Sequence, residues 1–159
     1  MGRTLIISGS GEWQWQSRII INFIIMAGSF RDLKVYQLAF EAAREIRLIS
    51  MRFPKEETYS LTDQIRRSSR SVCVNIGEGY RKRIYPKHFT SKMTDADGEA
   101  TETSIWLDFA LDCNYIDLTI FNALQNKYAE IGRMLNAMAQ YPEKFLPKKI
   151  KPVLLQLPH

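Results

Sequence analysis

The sequence predicts an all-α fold, an antiparallel up-down-up-down four-helix bundle. Three observations predict it. Four long segments carry apolar residues at steps of three and four, the spacing of a helix with one buried face. The links between them are short, which sets consecutive helices side by side and antiparallel. Beyond residue 27 no alternating apolar and polar run competes as a strand. A chain of 159 residues suits one core. The division expected is an N-terminal extension over 1–27, the bundle over 28–141 and an irregular basic tail over 142–159.

The first 27 residues differ in character from the rest of the chain. They are rich in Gly, Ser and Trp and then run Ile19, Ile20, Ile21, Asn22, Phe23, Ile24, Ile25, Met26. There is no short basic start, so the stretch is a poor signal peptide. A buried strand would have nothing to pair with. The reading favoured is that Met26 is the initiator and that the first 25 residues are an upstream extension.

The first helix is expected from Asp32 to Phe53. Tyr36, Phe40, Ala43 and Arg47 form one stripe. Val35, Ala39, Ala42, Ile46, Ile49 and Phe53 form the next, and together they make a wide apolar face. Pro54 ends the helix, because the residue before a proline is pushed out of helical conformation.

The second helix spans Ser60 to Arg83, with Ser60 and Asp63 spaced as a capping box. Leu61, Ile65, Ser68, Val72 and Ile76 share its inner face. Small residues (Ser68, Ser69, Ser71, Cys73, Gly77, Gly79) make it slim. Gly77 and Gly79 each cost a helix about 1 kcal/mol relative to alanine, so either the helix frays at Gly77 or close packing offsets the cost.

Pro86 suits the first turn of a third helix. Phe89, Met93, Ala96, Ala100, Thr103, Leu107 and Ala110 keep a 4-3-4-3-4-3 spacing through Cys113, over roughly 40 Å at 1.5 Å per residue. Asn114 reads as a left-handed cap and Asp117 as the N-cap of the last helix. There Phe121, Leu124, Tyr128, Ile131, Leu135 and Met138 repeat 3-4-3-4-3 until Pro142.

Charge is distributed unevenly. The chain carries +5. From Ser60 to Arg83, six cations (Arg66, Arg67, Arg70, Arg81, Lys82, Arg83) oppose Asp63 and Glu78, a local net of +4. In the third helix Asp95, Asp97, Glu99, Glu102, Asp108 and Asp112 oppose Lys87 and Lys92, a net of −4. An antiparallel hairpin turning near Ile84 sets level those residues whose numbers sum to about 168. Arg66 then falls near Glu102 and Arg70 near Glu99, as structural ion pairs within the chain or across a subunit boundary. Arg67, Arg81, Lys82, Arg83, Lys87 and His88 have no obvious acidic partner. Such a cluster neutralises phosphates without reading bases, and Tyr80 and Tyr85 among them suit stacking on unpaired bases. The competing reading is a solvated helix end.

Catalytic readings fare badly. His88 and His159 are the only histidines. No Glu-x-x-His motif of a di-metal bundle is present. The Gly77-Glu78-Gly79 triplet lacks the spacing and the Lys-Ser/Thr of a phosphate loop. Asp95, Asp97, Glu99 and Glu102 spread around their helix instead of converging on a metal. No enzyme activity, cofactor or metal is expected. The Trp106 to Phe109 cluster reads as core or subunit interface. Cys73 and Cys113 are too few for a disulfide framework and lack metal-ligand spacing, so a reducing cytoplasm is the compartment expected. No run of ~18 apolar residues signals a membrane span.

Four segments carry a resemblance. They are FRDLKVYQLAFE at 30–41, RFPKEETYSLTDQIRRSSRSVCVNIGEGYRK at 52–82, WLDFALDCNYI at 106–116 and EIGRMLNAM at 130–138. Together they resemble the four-helix bundle family of 23S rRNA intervening-sequence proteins, which is similar to the accessory variability determinant of diversity-generating retroelements. The resemblance spans about Phe30 to Tyr141. It implies an antiparallel bundle that assembles as a homopentamer. The retroelement relative binds nucleic acid and a reverse transcriptase through basic surface, so the resemblance makes RNA or DNA, and a reverse transcriptase or other protein, the candidate partners. The expectation is therefore a bundle that binds nucleic acid electrostatically through Arg66, Arg67, Arg70, Arg81, Lys82, Arg83 and Lys87. The alternative is a protein–protein adaptor or structural ring with no nucleic-acid ligand.

Overall fold

A computed structural model describes residues 28–147. The expectations for 1–27, the Met26 initiator among them, and for the tail from 148 onward lie outside the described residues. Four α-helices are present among the described residues: α1 (Lys34–Ile49), α2 (Leu61–Arg81), α3 (Pro86–Asp112) and α4 (Leu118–Gln140). The fold is all-α, with no strand among the described residues.

Side-chain bonds between helices fix their sense. Between α2 and α3, the Ser68 and Thr103 hydroxyls lie 2.8 Å apart and Lys92 donates to Asn75 at 3.1 Å. Between α3 and α4, Thr90 donates to the Ala139 carbonyl and Gln125 to the Ser104 carbonyl. Between α4 and α1, Lys127 pairs with Glu41 at 2.6 Å and Lys34 with Glu130 at 3.4 Å. In each set, higher numbers on one helix meet lower numbers on the next, so neighbours run antiparallel. The described chain thus begins and finishes at the same end of the bundle, the end that carries the α2–α3 turn.

Local signals explain most boundaries. The chain enters through a 3-10 turn, Phe30–Asp32, in which Ser29 Oγ accepts from the Arg31 amide and the Asp32 carboxylate accepts from the Ser29 amide. The turn delays the first helix from Asp32 to Lys34. At its far end α1 tightens into a second 3-10 turn, Ser50–Arg52, and Phe53 is extended ahead of Pro54, as a proline demands. Pro86 occupies the first turn of α3. Asn114 is left-handed with φ of 57°, and the Asp117 carboxylate accepts from the Ile120 amide at 2.8 Å. After Pro142 the chain makes a 3-10 turn, Pro142–Phe145, and the Phe145 ring stacks 5.3 Å from Phe89. The first four residues assigned to the tail therefore pack on the bundle.

The cap of α2 differs from the sequence expectation. Ser60 occupies the N-cap position but makes no capping bond through its own side chain. Its hydroxyl donates to the Glu57 carboxylate, which also accepts from the Leu61 amide at 3.3 Å. Glu57 sits in a 3-10 turn, Lys55–Glu57, that swings its carboxylate over the open amides. The carboxyl pKa of Glu57 is lowered by the Ser60 hydroxyl first, then by the Leu61 amide and the Tyr115 phenol.

Core residues follow the periodicity. All seven α3 positions from Phe89 to Ala110 are buried, as are Leu61, Ile65, Ser68, Val72 and Ile76 of α2. On α1 only one of the two stripes enters the core, through Val35, Ala39, Ala42 and Ile46. The Tyr36, Phe40, Ala43, Arg47 stripe faces outward along a groove between α1 and α2. Of that stripe Tyr36 packs against the core and Ala43 is half-buried, while Phe40 and Arg47 are exposed, so the buried face is narrower than expected and centres on the Val35 stripe.

Close packing answers the glycine question. The α2 helix does not fray at Gly77 but runs on to Arg81. A Cβ at Gly79 would overlap Met93 Cε and lie 2.9 Å from Lys92 Cβ, so glycine here sets how near α2 and α3 approach. One polar layer crosses the core. Beside the Ser68–Thr103 contact, Thr103 Oγ1 lies 2.8 Å from the Glu99 carbonyl oxygen. The phenol oxygen of Tyr128 is buried beside Thr103 without a well-formed hydrogen bond; burial pushes its pKa up, and Thr103 offsets the rise in part.

Candidate nucleic-acid interface

Two basic surfaces form on α2, and they lie on different parts of the bundle. The first is the end where α2 gives way to α3. Arg81, Lys82 and Lys87 are exposed there, and none makes an ion pair among the described residues. Arg81 and Lys82 suit this place, since the carbonyl end of α2 carries partial negative charge, whereas Lys87 lies in the first turn of α3, where the dipole gives it no such support. The exposed Tyr85 ring lies 5.8 Å from His88. Because the helices alternate, the start of α1 and the finish of α4 arrive at the same end. They add Arg31, over the Phe30 ring at 4.4 Å, and Lys144, over the Tyr141 ring at 4.4 Å. Sequence reasoning missed both. The signal was available in the alternation itself, which assigns every helix terminus to one end or the other.

Arg83 does not belong to that exposed set. It is 9% exposed, its Nη1 donates to the Tyr80 carbonyl at 2.8 Å, and its guanidinium lies 3.9 Å over the Tyr80 ring. A guanidinium held this way closes the hairpin turn. It is removed from the candidate phosphate contacts.

The second surface is the α1–α2 groove. Successive helical side chains are about 100° apart. Ser68 points at α3, so Arg67 stands about a quarter turn from it while Arg66 and Arg70 stand about half a turn away, toward α1. Arg66 Nε donates to Ser50 Oγ at 2.7 Å. Its pKa is lowered by burial first, then by the neighbouring charges of Arg47 and Arg70. Arg44, Arg47 and Arg70 line the groove with Tyr36, Phe40, Leu48, Cys73 and Val74, around a volume of about 500 Å³. Burial raises the Cys73 thiol to about 11, so it is not a ready thiolate.

The expected pairs Arg66–Glu102 and Arg70–Glu99 do not form within the chain. The level register holds, since Ser68 meets Thr103 and Asn75 meets Lys92. The rotation of α2 about its axis is what separates the partners. Arg67, the arginine on the α3 side, is the one whose charge reaches Glu99. The Glu99 carboxyl is nonetheless raised, by burial first and then by the adjacent Glu102. Glu102 accepts from Trp106 Nε1 at 3.1 Å, and Trp106 lies 5.7 Å from the Phe109 ring. Lys92 instead satisfies Glu78 at 2.7 Å.

Among the described residues, no three His, Cys, Asp or Glu side chains gather at a metal-sized site. No described helix is long and apolar enough to cross a membrane.

Fold and surface together define an all-α bundle whose second helix presents cations both at its end and along its outer face. The model of the 23S rRNA-intervening sequence protein family matches residues 31–137. The chain belongs to that family. It is also similar to a crystal structure from Bacteroides thetaiotaomicron, a protein of unknown function from the S23 ribosomal protein family. That likeness has a TM-score of 0.59 and 26% identity, and covers 67% of this chain and 98% of the other. No curated protein matches the chain.

Proposed function

We propose that this protein is a non-enzymatic, oligomeric four-helix bundle of the cytoplasm that binds RNA or DNA electrostatically through the α2–α3 end. A homopentamer is the assembly the resemblance favours. Arg81, Lys82 and Lys87 carry the contact, with Arg31 and Lys144 beside them. The observation that supports this reading most is the exposure of these cations, from three parts of the chain, without ion-pair partners among the described residues. Contacts of this kind recognise phosphate and carry no sequence information. Tyr85 adds a face for unpaired bases. In a retroelement setting the same end would meet nucleic acid in company with a reverse transcriptase.

The test is fluorescence anisotropy of a short single-stranded RNA titrated with protein across a salt series. Binding should weaken steeply with salt and depend little on sequence. For single strands each phosphate contact contributes ~0.7 to the log–log slope, so the Arg81→Glu/Lys82→Glu variant should lower the slope by about 1.4. Undiminished affinity in that variant would overturn the assignment of the site.

The second reading, an adaptor or structural ring without nucleic acid, is favoured by a different observation. The α1–α2 groove is apolar on its floor, and phosphate gives no reason for that.

A further inference from the structure

We infer that the α1–α2 groove is a docking site for a second copy of this chain, and that the acidic and aromatic ridge of α3 is what it takes. This rests on the oligomeric part of the function proposed above, and it names the surfaces. The groove leaves Phe40 at 50%, Leu48 at 62% and Val74 at 56% exposure. Three large apolar side chains open to water in one place mark a surface that another protein covers. Nucleic acid would neutralise the arginines but would leave Leu48 and Val74 without apolar cover.

The ridge has what the groove lacks. Glu99, Glu102, Trp106 and Phe109 recur at steps of three and four along α3, so they share one face. Ile105 borders them. Phe109 and Ile105 are half exposed. Glu99 and Glu102 make no ion pair among the described residues, and their mutual repulsion acts within the chain. The groove has the mirror problem, with Arg47 and Arg70 crowding Arg66. Docking relieves both, joins aromatic and arginine side chains of the kind enriched at interface centres, and covers both apolar patches. Groove and ridge are different surfaces, so each copy offers one of each. Contacts of this type propagate from copy to copy and end in a ring when the rotation closes.

Light-scattering mass of the full chain, without nucleic acid, tests this at micromolar concentration and about 0.15 M salt. The wild type should run as a multiple of 18.5 kDa. Arg47→Glu/Arg70→Glu should shift it to a single chain, with helical circular dichroism unchanged. Adding Glu99→Arg/Glu102→Arg to that variant should restore the assembly, because the charges again complement. If the arginine reversals cost the fold, Phe40→Glu, at a half-exposed position, replaces them and should also dissociate the assembly. A monomeric wild type, an assembly untouched by the folded groove variants, or a folded fourfold variant that stays dissociated would each overturn the proposal. So would a groove variant that keeps its mass and loses only RNA, since the groove would then belong to nucleic acid. The Arg81→Glu/Lys82→Glu variant should keep its mass, which separates this test from that of RNA binding.

Discussion

Gly79→Ala puts the α2–α3 contact to a quantitative test. At an exposed helical site the change would stabilise by about 1 kcal/mol, because glycine is the poorer helix former. Here the new methyl would overlap Met93 Cε and come within 2.9 Å of Lys92 Cβ. The Met93 tip is flexible, but Lys92 Cβ is fixed to the α3 backbone, so the two helices must part. Overpacking of this kind costs roughly 1–3 kcal/mol. The net expectation is a destabilisation of about 1 kcal/mol, a fall of about 0.5 M in the urea midpoint for a slope near 2 kcal/mol per M. Gly98 supplies the contrast, since nothing lies within 4 Å of the Cβ it would gain. Gly98→Ala should raise the midpoint through propensity alone. Equilibrium urea unfolding followed by circular dichroism reads both variants. A Gly79→Ala protein as stable as the wild type, or shifted the same way as Gly98→Ala, would refute the close-approach argument.

Two further stability predictions rest on single side chains. The lowered pKa of Glu57 means that its carboxylate stabilises the fold above the ordinary carboxylate range, and that this contribution is lost as pH falls through the lowered value. Glu57→Gln should therefore be less stable than wild type at neutral pH and nearly equal to it near pH ~2, below the carboxylate range; an equal gap at both would refute the cap. Tyr128→Phe removes a buried hydroxyl that lies beside Thr103 without a well-formed hydrogen bond, so thermal unfolding should show no loss and a gain of up to about 1 kcal/mol. A clear loss would mean that the hydroxyl is bonded.

The parts of the fold legible in the sequence are those set by local chemistry. The seven buried positions of α3 were readable because one helix of constant pitch repeats one spacing. Asn114 and Asp117 were readable because a left-handed turn and a capping carboxylate each need a particular side chain. The Ser60–Asp63 cap was misread because the carboxylate that matters, Glu57, reaches the helix through a 3-10 turn that pattern alone did not reveal. On α1, two apolar stripes looked equivalent, and only packing on α2 and α4 separates the buried one from the open one. The candidate site was legible in composition more than in arrangement. Arg81, Lys82 and Lys87 are exposed as expected. Arg83 is withdrawn by Tyr80, and Arg66 and Arg70 turn toward α1, because level register does not fix rotation about a helix axis.

An even number of alternating helices returns the chain to where it began. Gly28 and Pro147 stand at the basic end, while the loop between α1 and α2 stands at the opposite one. The bundle over 28–147 is thus suited to circular permutation, with a short linker joining Gly28 to Pro147 and new ends opened near Thr58 and Tyr59, both exposed. A fluorophore or affinity tag placed directly at Gly28 or Pro147 sits beside the cations and perturbs what it is meant to report. The same label on a permuted chain sits a full bundle length away.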